Sequence, residues 1–333
     1  MLASGRPWAT TNDLIGVAEV AAAWAATGVL RAQQLPPLAA RLATVTLRAQ
    51  PRTTAERVAV IERRLAGRID GLVPRALYRQ HLTLRYEHLL GRVLDMHPCG
   101  WHPEVELEGR DHLADALARG RGAILWTMSF CGHVVPKLGI SRRGFSVVHL
   151  SAALHGGFSD SWVAVNVLNR WAQKSENRYL AERVVMPLTW SLGHVGTLKR
   201  RLSENAVVSI AGEHRSETGV AVRVLGDPAV FATGAPALAR STGAALLTVH
   251  SYRRAPNRYT VVIEPVAAVD TNGNRRSGLE AAVQTFANQL ERHVIDHPAD
   301  WDRWSAFDLD SARLAARRNT SGPRRHPMDR HVG

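Results

Sequence analysis

Short apolar runs that stop abruptly at small or polar residues punctuate the middle of this chain, and longer runs with helical spacing surround them. Residues 122–126, 145–150 and 206–211 are apolar almost throughout, as strands buried on both faces must be. Residues 101–107, 244–252 and 259–264 complete the predicted strands. Apolar positions three and four apart predict helices over 14–30, 38–48, 55–65 and 72–94, then over 111–118, 163–172, 190–202 and 279–296. Pro36-Pro37 interrupts the first group, and the stretch from Pro98 to Pro103 separates it from the strands. The pattern predicts an α/β fold: a mixed, mainly parallel sheet flanked by helices, with an N-terminal helical segment. The chain then divides into a helical appendage over 1–98, an α/β domain over 99–308, and a basic tail over 309–333. The tail lacks apolar periodicity and reads as disordered.

Length and composition agree with a globular protein. The 333 residues can bury a full core, and 45% of them are apolar. Charge changes the picture: a formal net charge of +13 predicts attraction to anionic partners such as phospholipid headgroups, coenzyme A phosphates, an acidic carrier protein or tRNA. Cys99 and Cys131 are the only cysteines, which excludes a disulfide framework and fits a cytoplasmic setting. The 15 histidines show no metal-ligand spacing and there is no Gly-rich phosphate loop, so no metal or cofactor is expected. The helix over 14–30 starts at Asn12 or Asp13, is rich in alanine and contains Glu19. It falls short of the roughly 20 apolar residues of a membrane span and reads as a docking or surface-associated helix. The expected location is cytoplasmic, peripheral on the inner face of the membrane.

The order of segments from Gly120 to Arg254 carries a resemblance. Strand 122–126 runs into Thr127-Met128-Ser129, strand 206–211 into Gly212-Glu213-His214-Arg215, and the runs 220–226 and 231–247 follow. This succession resembles the lysophospholipid acyltransferase superfamily, and within it the lipid A biosynthesis acyltransferases. Residues 290–301 resemble the segment that closes those enzymes. The resemblance implies transfer of an acyl group from acyl-CoA or acyl carrier protein to a small-molecule acceptor bearing a hydroxyl or amine. It also implies a His, four residues and then an Asp or Glu after the first of these strands. The imidazole takes the acceptor proton, and the carboxylate orients the ring. This chain has Ser129 at the His position and Val134 at the acid position. Serine is no base near neutral pH, and valine orients nothing.

Two replacements are available. His155 and Asp160 stand at the right separation in the loop after strand 145–150, whose end should share a rim with strand 122–126. His133 lies in the Ser129 loop without a neighbouring acid. The bland reading is that Ser159 or Asp160 caps the helix near Trp162, with no catalytic histidine at all. Cys131 as an acyl-enzyme nucleophile is a further alternative to a buried small residue. Glu213, His214 and Arg215 follow a strand where the family positions substrate, although a plain turn has the same composition. Arg178 and Arg183 are candidates to grip a phosphate or to pair with nearby glutamates. Thr233 and Gly234 would open a helix whose N–H groups face the site. The missing dyad points toward specialised lipid or secondary metabolism. An aminoacyl-tRNA donor and a non-catalytic ligand-binding protein are the alternatives.

Overall fold

The computed structural model describes residues 7–98, 100–132, 134–153, 159–187, 192–213, 219–266 and 275–304. Its seven-stranded sheet has the order β1 (Glu104–Glu108), β9 (Arg258–Pro265), β8 (Ala245–Ala255), β2 (Ala123–Thr127), β5 (Val207–Ala211), β3 (Val147–Ala152), β4 (Glu182–Met186), and β6 (Val220–Val224) pairs antiparallel with β7 (Asp227–Phe231) in a separate two-stranded sheet. β2 (Ala123–Thr127), buried at every position, lies between β5 (Val207–Ala211) and β8 (Ala245–Ala255) and runs parallel to both. β3 (Val147–Ala152) pairs in parallel with β5 and with the edge strand β4 (Glu182–Met186). β9 (Arg258–Pro265) turns back antiparallel to β8, and β1 (Glu104–Glu108) lies parallel to β9 at the other edge. The fold is therefore α/β with a mixed, mainly parallel sheet. β2, β3, β4, β5 and β8 bring their C-terminal ends to one rim, where α/β sites assemble.

Both faces of the sheet are covered. On one, α5 (Arg110–Ala118) and α6 (Val134–Arg142) bury Leu113 and Leu138 against Leu125, Val207 and Val261. On the other, α8 (Gly193–Ser203), α9 (Gly234–Thr242) and α10 (Arg275–Asp296) pack over Ile124, Trp126 and Val208. Trp126 stacks on Phe286 of α10 at 4.3 Å directly beside Gly212. A Cβ at Gly212 would lie 2.3 Å from the Phe286 ring, so this position between β5 and Glu213 admits only glycine without displacement.

α1 (Thr11–Val29), α2 (Leu35–Ala49), α3 (Pro51–Leu65) and α4 (Pro74–Leu94) form the N-terminal helical segment. Among the described residues, no helix is long and apolar enough to cross a membrane. α1 turns Leu14, Ile15, Val17 and Trp24 outward while Glu19 turns in to meet Arg85 at 2.6 Å. α4 lies along the rim and buries polar groups under it. His81 Nδ1 lies 3.1 Å from the Ala299 carbonyl, and the Nδ1 of His88 packs against Gly132.

These two rings set an acid limit on stability. Burial lowers the His81 pKa to about 4, and burial aided by Arg92 and Arg253 lowers that of His88 to about 3. The unfolded chain binds protons there near pH 6.5. Stability is then complete above pH 6.5 and falls as the pH drops below it, until the folded rings themselves titrate. His88 contributes up to roughly 4 kcal/mol of that fall. Urea unfolding between pH 7 and pH 4 should show a smaller loss in His88→Gln than in the wild type.

Three local features depart from the sequence reading. β4 was hidden in a charged segment because its edge position leaves Val185 and Met186 half exposed. α6 contains Pro136 and Gly139, yet Pro136 falls in the first turn, where its missing N–H costs nothing. Gly139 lets α6 approach Val105 closely. The helix over 163–172 continues further, through a wider turn at Ala164–Leu168 into α7 (Asn169–Asn177).

Candidate active site

The strand registers place the site. Thr127 is level with Ala211 of β5, so Ser129 and Glu213, each two residues further on, emerge together just beyond the ends of two adjacent parallel strands. The loop after β2 then turns sharply through Cys131 (φ 41°) and Gly132 (φ 61°), two successive left-handed residues. Left-handed backbone is unfavourable for cysteine and persists only where surroundings hold it.

Those surroundings come from the C-terminal segment and from Glu213. Phe130 and Trp301 form an antiparallel bridge. The Asp302 N–H donates to the Ser129 carbonyl at 2.8 Å, and the Cys131 N–H donates to the Asp300 carbonyl at 2.8 Å. Cys131 Sγ also donates to Asp300 Oδ1 at 2.7 Å, and the Gly132 N–H donates to Asp302 Oδ2 at 2.8 Å. Glu213 Oε1 accepts the Ser129 N–H at 2.6 Å, and its Oε2 accepts Trp301 Nε1–H at 3.1 Å. The backbone N–H groups of Ser129, Cys131 and Gly132 and the Ser129 carbonyl therefore each meet a partner.

Burial pushes the Glu213 carboxyl up, opposed by Arg303 and by the two N–H donors. Burial likewise raises Asp300, while the Cys131 thiol is raised by burial and by its neighbouring carboxylates. A buried, protonated thiol donating to a carboxylate is a poor nucleophile. On the α4 side, Arg253 holds Glu87 through two bonds of 2.7 and 2.8 Å.

Among the other predicted residues, Arg183 bonds Glu176, Ser151 at 2.8 Å and Asn177 at 2.6 Å. Glu176 also bonds the buried Lys137 of α6. Arg178 lies 3.4 Å from Asp95 and is half exposed. Thr233 occupies the N-cap position of α9, but its side chain makes no capping bond. Asp160 is exposed. Ser161 caps the helix beyond it, accepting the Ala164 N–H at 3.1 Å.

Ser159 and Ser161 each donate at 2.8 Å to one oxygen of buried Asp13, which also accepts the Thr10 hydroxyl and N–H. Burial alone would raise the Asp13 pKa, but these four bonds outweigh it and hold the carboxyl well below the usual range. α1 is thereby tied to the segment that follows β3. His133, His155, His214, Arg215 and the tail over 309–333 lie outside the described residues.

Comparison with known proteins agrees with this layout. The family described as bacterial lipid A biosynthesis acyltransferase matches residues 191–304, which include β5, Glu213 and the closing Trp301–Trp304 segment. Over these residues the chain resembles the lipid A acyltransferases. Two phosphatidylinositol mannoside acyltransferases, from two strains of Mycobacterium tuberculosis, are each 30% identical over 219 residues. The match spans 63% of this chain and 63% of the length of those relatives.

The sequence placed Glu213 at a strand end and Ser129 at the start of a rim loop. It gave no notice of the long-range couplings Asp13–Ser161, Glu87–Arg253 and Lys137–Glu176. Asp300 and Asp302, two apart in the closing segment, are the feature of the sequence that signals this clamp on the Ser129 loop.

Proposed function

We propose that this protein moves an acyl group from acyl-CoA or an acyl carrier protein to a hydroxyl or amine acceptor, within specialised lipid or secondary metabolism. The observation that supports this most directly is the juxtaposition of Ser129 and Glu213 above the rim, at the ends of two adjacent parallel strands. Both belong to the order of segments that the acyltransferases share. In this reading His155 takes the acceptor proton and Asp160 orients it, with His133 as the alternative base. Glu213, His214 and Arg215 line the acceptor side. Arg183 acts through Glu176 and Ser151 rather than as a free cation.

The test is acyl-thioester consumption. The purified protein, given acyl-CoA or acyl carrier protein of several chain lengths, should release free thiol faster than the spontaneous rate. Mass spectrometry should find the acyl group on added alcohol or amine acceptors. Thioester left intact under all pairings would sink the reading. A second reading, a non-catalytic ligand-binding protein, draws on Ser129 and Val134 standing where a base and an acid are expected; it predicts binding of the thioester without its consumption.

Placement at the membrane surface is part of the proposal. Trp8 stacks on Trp162 at 6.5 Å, and both rings are exposed beside the apolar outer face of α1. Aromatic and aliphatic side chains on a strongly basic protein suit an anionic bilayer surface. Sedimentation with vesicles containing phosphatidylglycerol should show binding that weakens several-fold when Trp8 and Trp162 are both changed to Ser. Equal binding by that variant would remove the assignment.

A further inference from the structure

The segment that closes over the Ser129 loop brings a carboxyl with it. Asp302 anchors its backbone on the Ser129 carbonyl and its Oδ2 on the Gly132 N–H. Among the described residues Oδ1 makes no hydrogen bond, and the side chain is only partly buried. Asp302 thus fixes one oxygen on the loop where Ser129 and Val134 provide neither base nor acid, and among the described residues no hydrogen bond holds the other.

We propose that Asp302 is the proton donor to the departing thiol in acyl transfer. The inference rests on the acyl-transfer reading given above. Dehydration pushes the Asp302 carboxyl up to about 7; the negative charges of Asp300 and Glu213 add to that, and the Gly132 N–H opposes it. The charged and titratable groups around it are Glu213 at the end of β5, Asp300 and Arg303 on its own segment, and Cys131 in the loop. Arg253 on β8 and Glu87 on α4 lie beyond Asp300. His133 follows Gly132 in sequence and lies outside the described residues. A carboxyl raised toward neutrality can give up a proton and recover it within one turnover.

The proton balance closes. The acceptor O–H or N–H bond breaks and its proton passes to the base. The freed electron pair forms the new bond to the thioester carbonyl carbon. The C–S bond breaks with its electrons going to sulfur, and sulfur takes the Asp302 proton to leave as the thiol. The base then returns its proton to water, and Asp302 regains one from water, so no net charge is gained or lost.

The decisive comparison uses two thioesters of the same acyl group. The first is acyl-CoA, whose alkyl thiolate needs a proton. The second is an aryl thioester of nitrobenzenethiol, whose thiolate departs without one. Asp302→Asn keeps a carbonyl oxygen for the Gly132 N–H. We expect it to lower kcat/KM for acyl-CoA by roughly 10²–10³-fold, within the usual range for a general acid. For the aryl thioester it should stay within a few-fold of the wild type, and Asp302→Glu should recover part of the acyl-CoA rate. In the wild type the acyl-CoA rate should fall above pH 7 while the aryl rate does not. That contrast needs no variant and stands even if Asp302→Asn folds poorly.

Equal losses on both thioesters would reduce Asp302 to a structural clamp, and no loss on either would remove it from the reaction. Identical wild-type pH profiles would also overturn the role. If the wild type consumes neither thioester, the acyl-transfer reading falls and this role falls with it; if it consumes both and only the leaving-group contrast is missing, the role alone falls.

Discussion

His155→Ala should lower acyl-thioester turnover by roughly 10²–10⁴-fold, the usual worth of a general base. The attacking hydroxyl or amine must lose a proton as it bonds to the carbonyl carbon, and Ser129 cannot accept it near neutral pH. β3 ends at Ala152 on the same rim as β2 and β5, so the loop between β3 and Ser159 starts beside the Glu213 strand. Asp160→Asn should cost less, because the base survives and loses only orientation and charge support. His133→Ala and Cys131→Ser should be mild, the latter because the thiol is buried and bonded to Asp300. Thiol release in single-turnover conditions, with circular dichroism as the fold control, reads all four. A large loss in His133→Ala with His155→Ala unaffected would move the base to the β2 loop.

Trp301→Ala should carry the largest stability effect among single changes at the site. Trp301 is fully buried, packs edge-on against Trp304 at 4.9 Å, and donates to Glu213 Oε2. Removing an indole of this kind costs about 3–5 kcal/mol for lost burial and the cavity left behind. Glu213 would lose one of its donors as well, leaving a buried carboxylate oxygen short of a partner, which adds about 1–3 kcal/mol where the site does not relax. Trp301→Phe keeps most of the volume and should show mainly the second cost. Chemical denaturation of the three proteins measures both. If Phe were as damaging as Ala, the hydrogen bond to Glu213 would outweigh the packing.

How much of this was legible in the sequence depended on the range of the interaction. β2, β5 and β8 were visible because a strand buried on both faces must be largely apolar: 122–126 is so throughout, 206–211 is broken only by Ser209, and 244–252 opens with four apolar residues. β4 was not, because an edge strand can carry the charged, half-buried Glu182 and Arg183 and leave Val185 and Met186 half exposed. α6 was hidden by Pro136 and Gly139, whose tolerance depends on a first turn and on the closeness of Val105. At the site, Ser129 and Glu213 could be placed from strand ends alone. Their mutual bond could not, and neither could the clamp from Asp300 and Asp302, because residues some 170 positions apart meet only through the closed sheet. In a one-dimensional reading Arg183 stood equally as a phosphate ligand and as the partner of a nearby glutamate. Its three side-chain partners are visible only in three dimensions.

The claim on which the rest depends is that an activated acyl donor binds at the rim formed by β2, β3 and β5. Hydrogen–deuterium exchange with and without a non-hydrolysable acyl-CoA analogue tests it directly. The account predicts slower exchange in peptides covering residues 127–133, 151–161 and 209–215, with little change in α2 and α3. No protection anywhere, or protection confined to the basic C-terminal tail, would contradict it.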